Sequence, residues 1–114
     1  MIWTEQRPWG RFKNLFENQI AKVKLIEIDQ DKRLSYQSHL HRREHWMILK
    51  GKALVTLNDQ EVELCTGQAF DIPQESKHRI QNIGKESLQL IEIQTGSSFD
   101  EADITRYEDD FGRS

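Results

Sequence analysis

Leu34-Ser35-Tyr36-Gln37-Ser38-His39-Leu40-His41-Arg42-Arg43-Glu44-His45-Trp46-Met47-Ile48-Leu49-Lys50-Gly51 holds three of the chain's four histidines. In a β-strand successive side chains point to opposite faces, so Ser35, Gln37, His39 and His41 are expected to share one face. Glu44 opens a returning strand, from which a carboxylate can face both imidazoles across the ladder. Neutral imidazole and carboxylate together make a donor set that divalent metals take readily. The remaining histidine, His78, lies in Gly67-Gln68-Ala69-Phe70-Asp71-Ile72-Pro73-Gln74-Glu75-Ser76-Lys77-His78-Arg79-Ile80-Gln81-Asn82. There a glycine and a proline set a turn that delivers His78 onto another strand. His39, His41, Glu44 and His78 are therefore the candidate metal ligands.

Working outward, strand-like segments occur near 11–16, 21–29, 34–41, 45–50, 53–58, 61–65, 69–73, 78–83 and 87–94. They are separated by Asp29-Gln30-Asp31, Lys50-Gly51-Lys52, Asn58-Asp59, Thr66-Gly67 and Asn82-Ile83-Gly84, all rich in turn residues. Short strands at this spacing imply an all-β sandwich or barrel. In Val23-Lys24-Leu25-Ile26-Glu27-Ile28 and in Leu88-Gln89-Leu90-Ile91-Glu92-Ile93 the apolar positions change phase. Each segment is expected to contain a bulge or to be covered on both faces, for instance by a second subunit. Ser98-Phe99-Asp100-Glu101 has the form of a capping box and predicts a short helix through Ile104, followed by a polar tail over 105–114.

The 114 residues suit a single domain spanning 1–114. Sixteen Lys and Arg against nineteen Asp and Glu give a net charge of −3 with the signs interspersed, unlike the clustered positive charge of a nucleic-acid binder. No long apolar run and no charged-then-apolar leader is seen, so neither a membrane nor a secretion signal is expected. The expected location is the cytoplasm. Cys65, the single cysteine, excludes an internal disulfide and reads as a buried structural thiol.

The two histidine segments resemble the paired signature of the cupin superfamily. The first, His-x-His, a short gap, Glu, six residues and Gly, is matched by His39, His41, Glu44 and Gly51. The second, Gly, five residues, Pro-x-Gly, two residues, His, three residues and Asn, is matched by Gly67, Pro73, His78 and Asn82. Glu75 stands where the pattern has its last glycine, and the gap from His41 to Glu44 is one residue short. With the usual gap His45 would hold the Glu position; counting back from Gly51 favours Glu44. The resemblance implies a double-stranded β-helix, or jelly-roll, barrel.

Arg7-Pro8-Trp9-Gly10, Lys32-Arg33-Leu34-Ser35, Lys77-His78-Arg79 and Arg106-Tyr107-Glu108-Asp109-Asp110-Phe111-Gly112-Arg113 narrow the likeness. With the motif around His41 they resemble the C-terminal cupin of type II mannose-6-phosphate isomerases, which usually follows a mannose-1-phosphate guanylyltransferase domain. No glycine-rich phosphate loop is present, so guanylyl transfer is not expected.

The resemblance implies interconversion of mannose 6-phosphate and fructose 6-phosphate with a divalent metal such as Zn, Mn, Co, Ni or Fe. Gln37 joins the candidate site because it shares the histidine face and because the distantly related type I isomerases use a Gln-x-His pair. His45 is the other alternative site residue. Arg79, first, then Arg33, Arg42 and Lys77 are the expected phosphate contacts, and no general base is named. The expected partners are a small sugar phosphate and a second copy of the chain in a homodimer. Two alternatives remain open: a non-catalytic sugar- or sugar-phosphate-binding cupin serving a separate guanylyltransferase, and a metal-dependent dioxygenase.

Overall fold

The computed structural model describes residues 3–113. Eleven strands run in order: β1 (Trp3–Arg7), β2 (Gly10–Glu17), β3 (Ala21–Ile28), β4 (Tyr36–Ser38), β5 (Arg42–Lys50), β6 (Lys52–Leu57), β7 (Gln60–Cys65), β8 (Ala69–Ile72), β9 (His78–Asn82), β10 (Leu88–Gly96) and β11 (Thr105–Glu108). They form a six-stranded sheet, β1-β2-β3-β10-β5-β8, and a five-stranded sheet, β11-β4-β9-β6-β7. Each strand pairs antiparallel with its neighbours. The all-β jelly-roll expectation holds.

Local chemistry explains the turns. Asn58 and Asp59 both take positive φ (46° and 69°) and close β6 onto β7, with Leu57 opposite Gln60. Two left-handed central residues match the right-handed twist of the flanking strands. Glu75 adopts φ of 67°, the left-handed conformation that the missing glycine would have supplied more easily. Gly96 is required by close approach, since a Cβ there would stand 2.2 Å from the His41 carbonyl oxygen.

Between the sheets, Ile28, Ile48, Ala53, Val55, Ile80, Leu88 and Leu90 are inaccessible to solvent. Each large aliphatic side chain so buried contributes roughly 1.5–3 kcal/mol. This apolar packing occupies only part of the interior. The even-numbered positions of β3 all point inward, and after Ile28 and Ile26 they are Lys24 and Lys22. Those of β10 likewise run from Leu88 and Leu90 to Glu92 and Gln94.

The two phase changes are therefore points where the inward residue becomes charged or polar. A register shift against β5 does occur between Gln89 and Leu90, but the alternation of burial continues through it. Val23, Leu25, Ile91 and Ile93 lie half-buried on the outer face of the six-stranded sheet.

Three expectations are corrected. Among the described residues there is no helix: residues 97–104 form successive turns in which Asp100 N donates to Ser98 Oγ (3.2 Å) and Ala102 N to Asp100 Oδ1 (2.9 Å). Glu101, which a capping box would turn back toward Ser98, instead binds Lys24, and Ser98 N donates to the His41 carbonyl. The polar tail contains β11, which pairs with β4. Cys65 is exposed, because β7 is an edge strand that turns Leu64 inward and its neighbour outward.

Beyond β11, Asp109 accepts bonds from Arg113 N, Nε and Nη2 (2.6, 2.8 and 3.0 Å). These bonds hold the Asp109 carboxyl down to about 2, against about 3.9 in an unfolded chain. The stabilisation is complete above about pH 4 and is lost as pH falls through about 2. Asp109→Asn should be less stable than the parent protein at pH 7, with the gap closing by about pH 2 in denaturant titrations across that range. A gap independent of pH would contradict the role given to this carboxylate.

Candidate functional site

His39, Glu44 and His78 meet in the interior, each offering a ligand atom within 4.8 Å of the others. They arrive from three directions. His39 follows the end of β4, Glu44 is the third residue of β5, and His78 begins β9. All three are buried.

The hydrogen bonds define the imidazole tautomers. His39 Nδ1 lies 2.7 Å from the Asp103 carbonyl oxygen and His78 Nδ1 lies 3.0 Å from that of Ser76. A carbonyl oxygen only accepts, so each Nδ1 carries a proton, which in a neutral ring leaves the lone pair on Nε2. The two Nε2 atoms face Glu44, at 3.3 Å from Oε2 and 3.6 Å from Oε1 respectively. Burial lowers the His78 pKa, which keeps that ring neutral.

Burial by itself would raise the Glu44 pKa. The Arg42 guanidinium beside it outweighs burial and holds the carboxyl well below the usual range. Arg42 donates from Nε to Glu44 Oε2 (3.1 Å) and from Nη2 to His39 Nε2 (3.2 Å). Trp46 Nε1 donates to Glu44 Oε1 (3.1 Å) and to Glu92 Oε2 (3.3 Å), linking the two carboxyls.

Glu44 opens onto a cavity of about 120 Å³, whose wall also includes Gln37, Arg42, Lys24, Glu92 and Trp9. Gln37 stands opposite His78 in the β4–β9 ladder, so the two share an inward face. Glu92 accepts from Gln94 Nε2 (2.6 Å) and is pushed up to about 7, first by burial and then by repulsion from Glu44.

The family described as mannose-6-phosphate isomerase C-terminal matches residues 2–109. The chain belongs to this family. It is 43% identical over 108 residues to the xanthan biosynthesis protein XanB of Xanthomonas campestris pv. campestris, covering 95% of this chain and 23% of that protein. It is 38% identical over 107 residues to the mannose-1-phosphate guanylyltransferase ManC of Salmonella typhimurium, covering 94% and 22%. The chain thus spans less than a quarter of the length of these curated relatives.

Solved structures give the same architecture. The Cnp3 cupin domain of Schizosaccharomyces pombe superposes with a TM-score of 0.73 at 24% identity, covering 75% of this chain and 64% of that one. An oxalate decarboxylase of Lactobacillus farciminis in complex with formate superposes at 0.80 with 18% identity, covering 93% and 33%.

Within this isomerase-family cupin the predicted residues separate. His41 is exposed and outside the cluster. The alternation that would carry it inward ends with β4 at Ser38, and Asp103 then fixes the bend by accepting from Leu40 N and His41 N at 2.9 Å each. When β5 begins, Arg42 and Glu44 are the inward residues. Measured from Gln37 instead of His39, the motif reads Gln-x-His, four residues, Glu, and the short gap disappears.

His45 faces outward and pairs with Asp71 (2.6 Å). Of the expected phosphate contacts, only Arg42 lines the cavity. Arg79 is buried, donating to the Leu34 carbonyl and Glu108. Arg33 pairs with Asp110, and Lys77 lies over the Tyr107 ring.

Lys24, Glu92, Glu101, Arg7, Arg106 and Arg113 also line the cavity. Sequence reasoning assigned none of them a role. The signal for Lys24 and Glu92 was the phase change itself, carried forward as strict alternation from Ile28 and Leu88.

Because Arg42 neutralises a buried carboxylate, Arg42→Met should destabilise the metal-free protein by about 3 kcal/mol. Equilibrium unfolding in the presence of a chelator measures this. A change within experimental error would show that Arg42 does not offset the Glu44 charge.

Proposed function

We propose that the chain interconverts mannose 6-phosphate and fructose 6-phosphate, with a divalent metal held by His39, Glu44 and His78 beside Gln37. The observation that carries this reading is the convergence of two imidazole Nε2 atoms on one carboxylate that lines a charged cavity. His78 Nε2 is buried without a hydrogen bond, an expensive state for a polar atom that a cation would relieve. Both ring Nδ1 protons are already tied to backbone carbonyls, the usual support of metal-ligating histidines. These residues fit a first-row ion, whose identity depends on availability as well as on the donors. The family membership supports the choice of reaction.

The chemistry supplied by such an ion, when bound, is polarisation of the substrate oxygens at C1 and C2. Glu92 lines the cavity without standing between the imidazoles, and it takes the proton from C2 and returns it to C1. Trp46 Nε1 keeps the Glu44 and Glu92 carboxyls at a fixed separation. Lys24 and Arg42 balance their charge, and Trp9, Phe12 and Ile26 limit entry of water.

With Zn, Mn, Co, Ni or Fe added, the purified protein should exchange deuterium from solvent into C2 of mannose 6-phosphate. Glu92→Gln should slow exchange by at least about 100-fold while leaving metal uptake intact. Absence of exchange with every metal would remove the isomerase reading. Sugar-phosphate binding without exchange would instead support a non-catalytic partner for a guanylyltransferase, a role suggested by the small part of ManC that the chain matches.

The outer face of the six-stranded sheet supports a homodimer. Phe16, Met47 and Leu49 are exposed there, beside the half-buried Val23, Leu25, Ile91 and Ile93. Light scattering should give twice the chain mass for the parent protein and the single mass for Met47→Glu.

A further inference from the structure

We infer that Asp103 is a positioning residue for His39, and that metal binding at His39 and closure of the segment 97–104 against the barrel strengthen each other; that His39 is a ligand rests on the metal site proposed above. His39, Leu40 and His41 form the bend between β4 and β5. Their carbonyls accept in turn from Glu75 N (2.9 Å), Gln74 Nε2 and Ser97 N (2.9 Å). The amides of Leu40 and His41 donate to Asp103, one to each carboxylate oxygen, at 2.9 Å. The same residue offers its backbone carbonyl to His39 Nδ1 at 2.7 Å. One residue thus fixes both the path of the bend and the direction of the ring that it carries.

The backbone bond decides which ring nitrogen is presented to a cation. With Nδ1–H tied to the Asp103 carbonyl, Nε2 faces Glu44 Oε2 at 3.3 Å. Without that acceptor the imidazole can turn about its Cβ–Cγ bond and exchange tautomers, and fewer of its states aim a lone pair at the site. Outer acceptors of this kind change metal affinity by about 10–100-fold. The Asp103 carboxylate accepts from the bend and leaves the ring to the carbonyl. Its influence on His39 therefore passes through the placement of the residue as a whole.

The segment 97–104 is held by polar contacts alone. None of its residues is buried, and none joins the apolar packing between the sheets. At one end Ser97 N and Ser98 N share the His41 carbonyl, and at the other Asp103 grips the Leu40 and His41 amides. Between these points Glu101 reaches Lys24 and Lys22 (3.5 Å) on β3. A segment with few buried apolar contacts opens at low free-energy cost, and so responds to a ligand that favours its closed position. A cation at His39 is such a ligand, because it holds Nε2 inward and keeps Nδ1–H aimed at Asp103. By linkage, closure raises metal affinity by the factor with which metal favours closure. Glu101 and Ile104 line the cavity, so closing this segment also completes a wall of the pocket.

The test follows zinc binding by calorimetry and amide hydrogen exchange by mass spectrometry, on the full chain of the parent protein, Asp103→Ala and Asp103→Asn. In the parent protein zinc should slow exchange of the Leu40 and His41 amides by about tenfold. Asp103→Ala should bind zinc about tenfold more weakly and show no such slowing. Asp103→Asn, which keeps one acceptor oxygen, should fall between the two. Nitrogen NMR of the metal-free proteins should show the Nδ1–H tautomer of His39 diluted in Asp103→Ala, while His78, whose Nδ1 is held by the Ser76 carbonyl, stays as in the parent protein. A general loss of stability would not single out one ring.

Zinc binding to the parent protein with no slowing at Leu40 and His41 would overturn the coupling and leave the metal site standing, and this measurement needs no variant. Undiminished zinc affinity and an unchanged His39 tautomer in Asp103→Ala would overturn the positioning role in the same way. Failure of the parent protein to bind zinc or any other divalent metal would remove the metal site itself, and the role of Asp103 with it.

Discussion

The buried carboxylate of Glu44 is the constraint around which this barrel is organised. Removing such an ion from water costs several kcal/mol, and the cost is offset only by close partners with good geometry. Arg42 and Trp46 donate hydrogen bonds to Glu44, and the His39 and His78 imidazoles stand beside it. They reach it from β5, β9 and the bend after β4. Slipping any of these elements by one residue would reverse its inward face and leave a charge without compensation. The carboxylate therefore specifies register as well as chemistry.

The interior is divided accordingly. One end is filled by Ile28, Ile48, Ile80, Leu88 and Leu90, while the other holds Lys22, Lys24, Glu92 and Gln94 on the same two strands or packed beside them. The apolar end supplies the stability that allows the polar end to exist. Pairing of Lys24 with Glu101 and of Gln94 with Glu92 keeps that second end rigid enough to serve as a site. A chain of this size has one core, and here part of it has been given over to reactive groups.

Much of this could be read from the residues. The strand succession was legible because turn residues punctuate short apolar alternations, and His39, Glu44 and His78 stood out by spacing. His41 was misplaced because alternation was carried three residues past the end of β4, and only a tertiary contact from Asp103 marks that end. Lys24 and Glu92 were obscured by the assumption that inward residues are apolar. β1 and β11 are short, largely polar edge strands with almost no hydrophobic pattern to reveal them. The Ser98–Glu101 helix signal failed because Lys24, 77 residues away, claims the glutamate.

The contacts made by Asp103 and Glu101 have a consequence for the timing of biosynthesis. His39 receives its orienting carbonyl from a residue 64 positions later, and Lys24 its counter-ion from one 77 positions later. On a ribosome the strands through β10 could associate before these groups emerge. Such a barrel would hold correctly ordered sheets around an unfinished pocket, with a bare lysine inside and an unsecured imidazole. Such non-local closures are slow compared with hairpin formation. Maturation of the pocket is therefore a late event relative to β10, separable from collapse of the barrel, and the residues that follow β10 complete it.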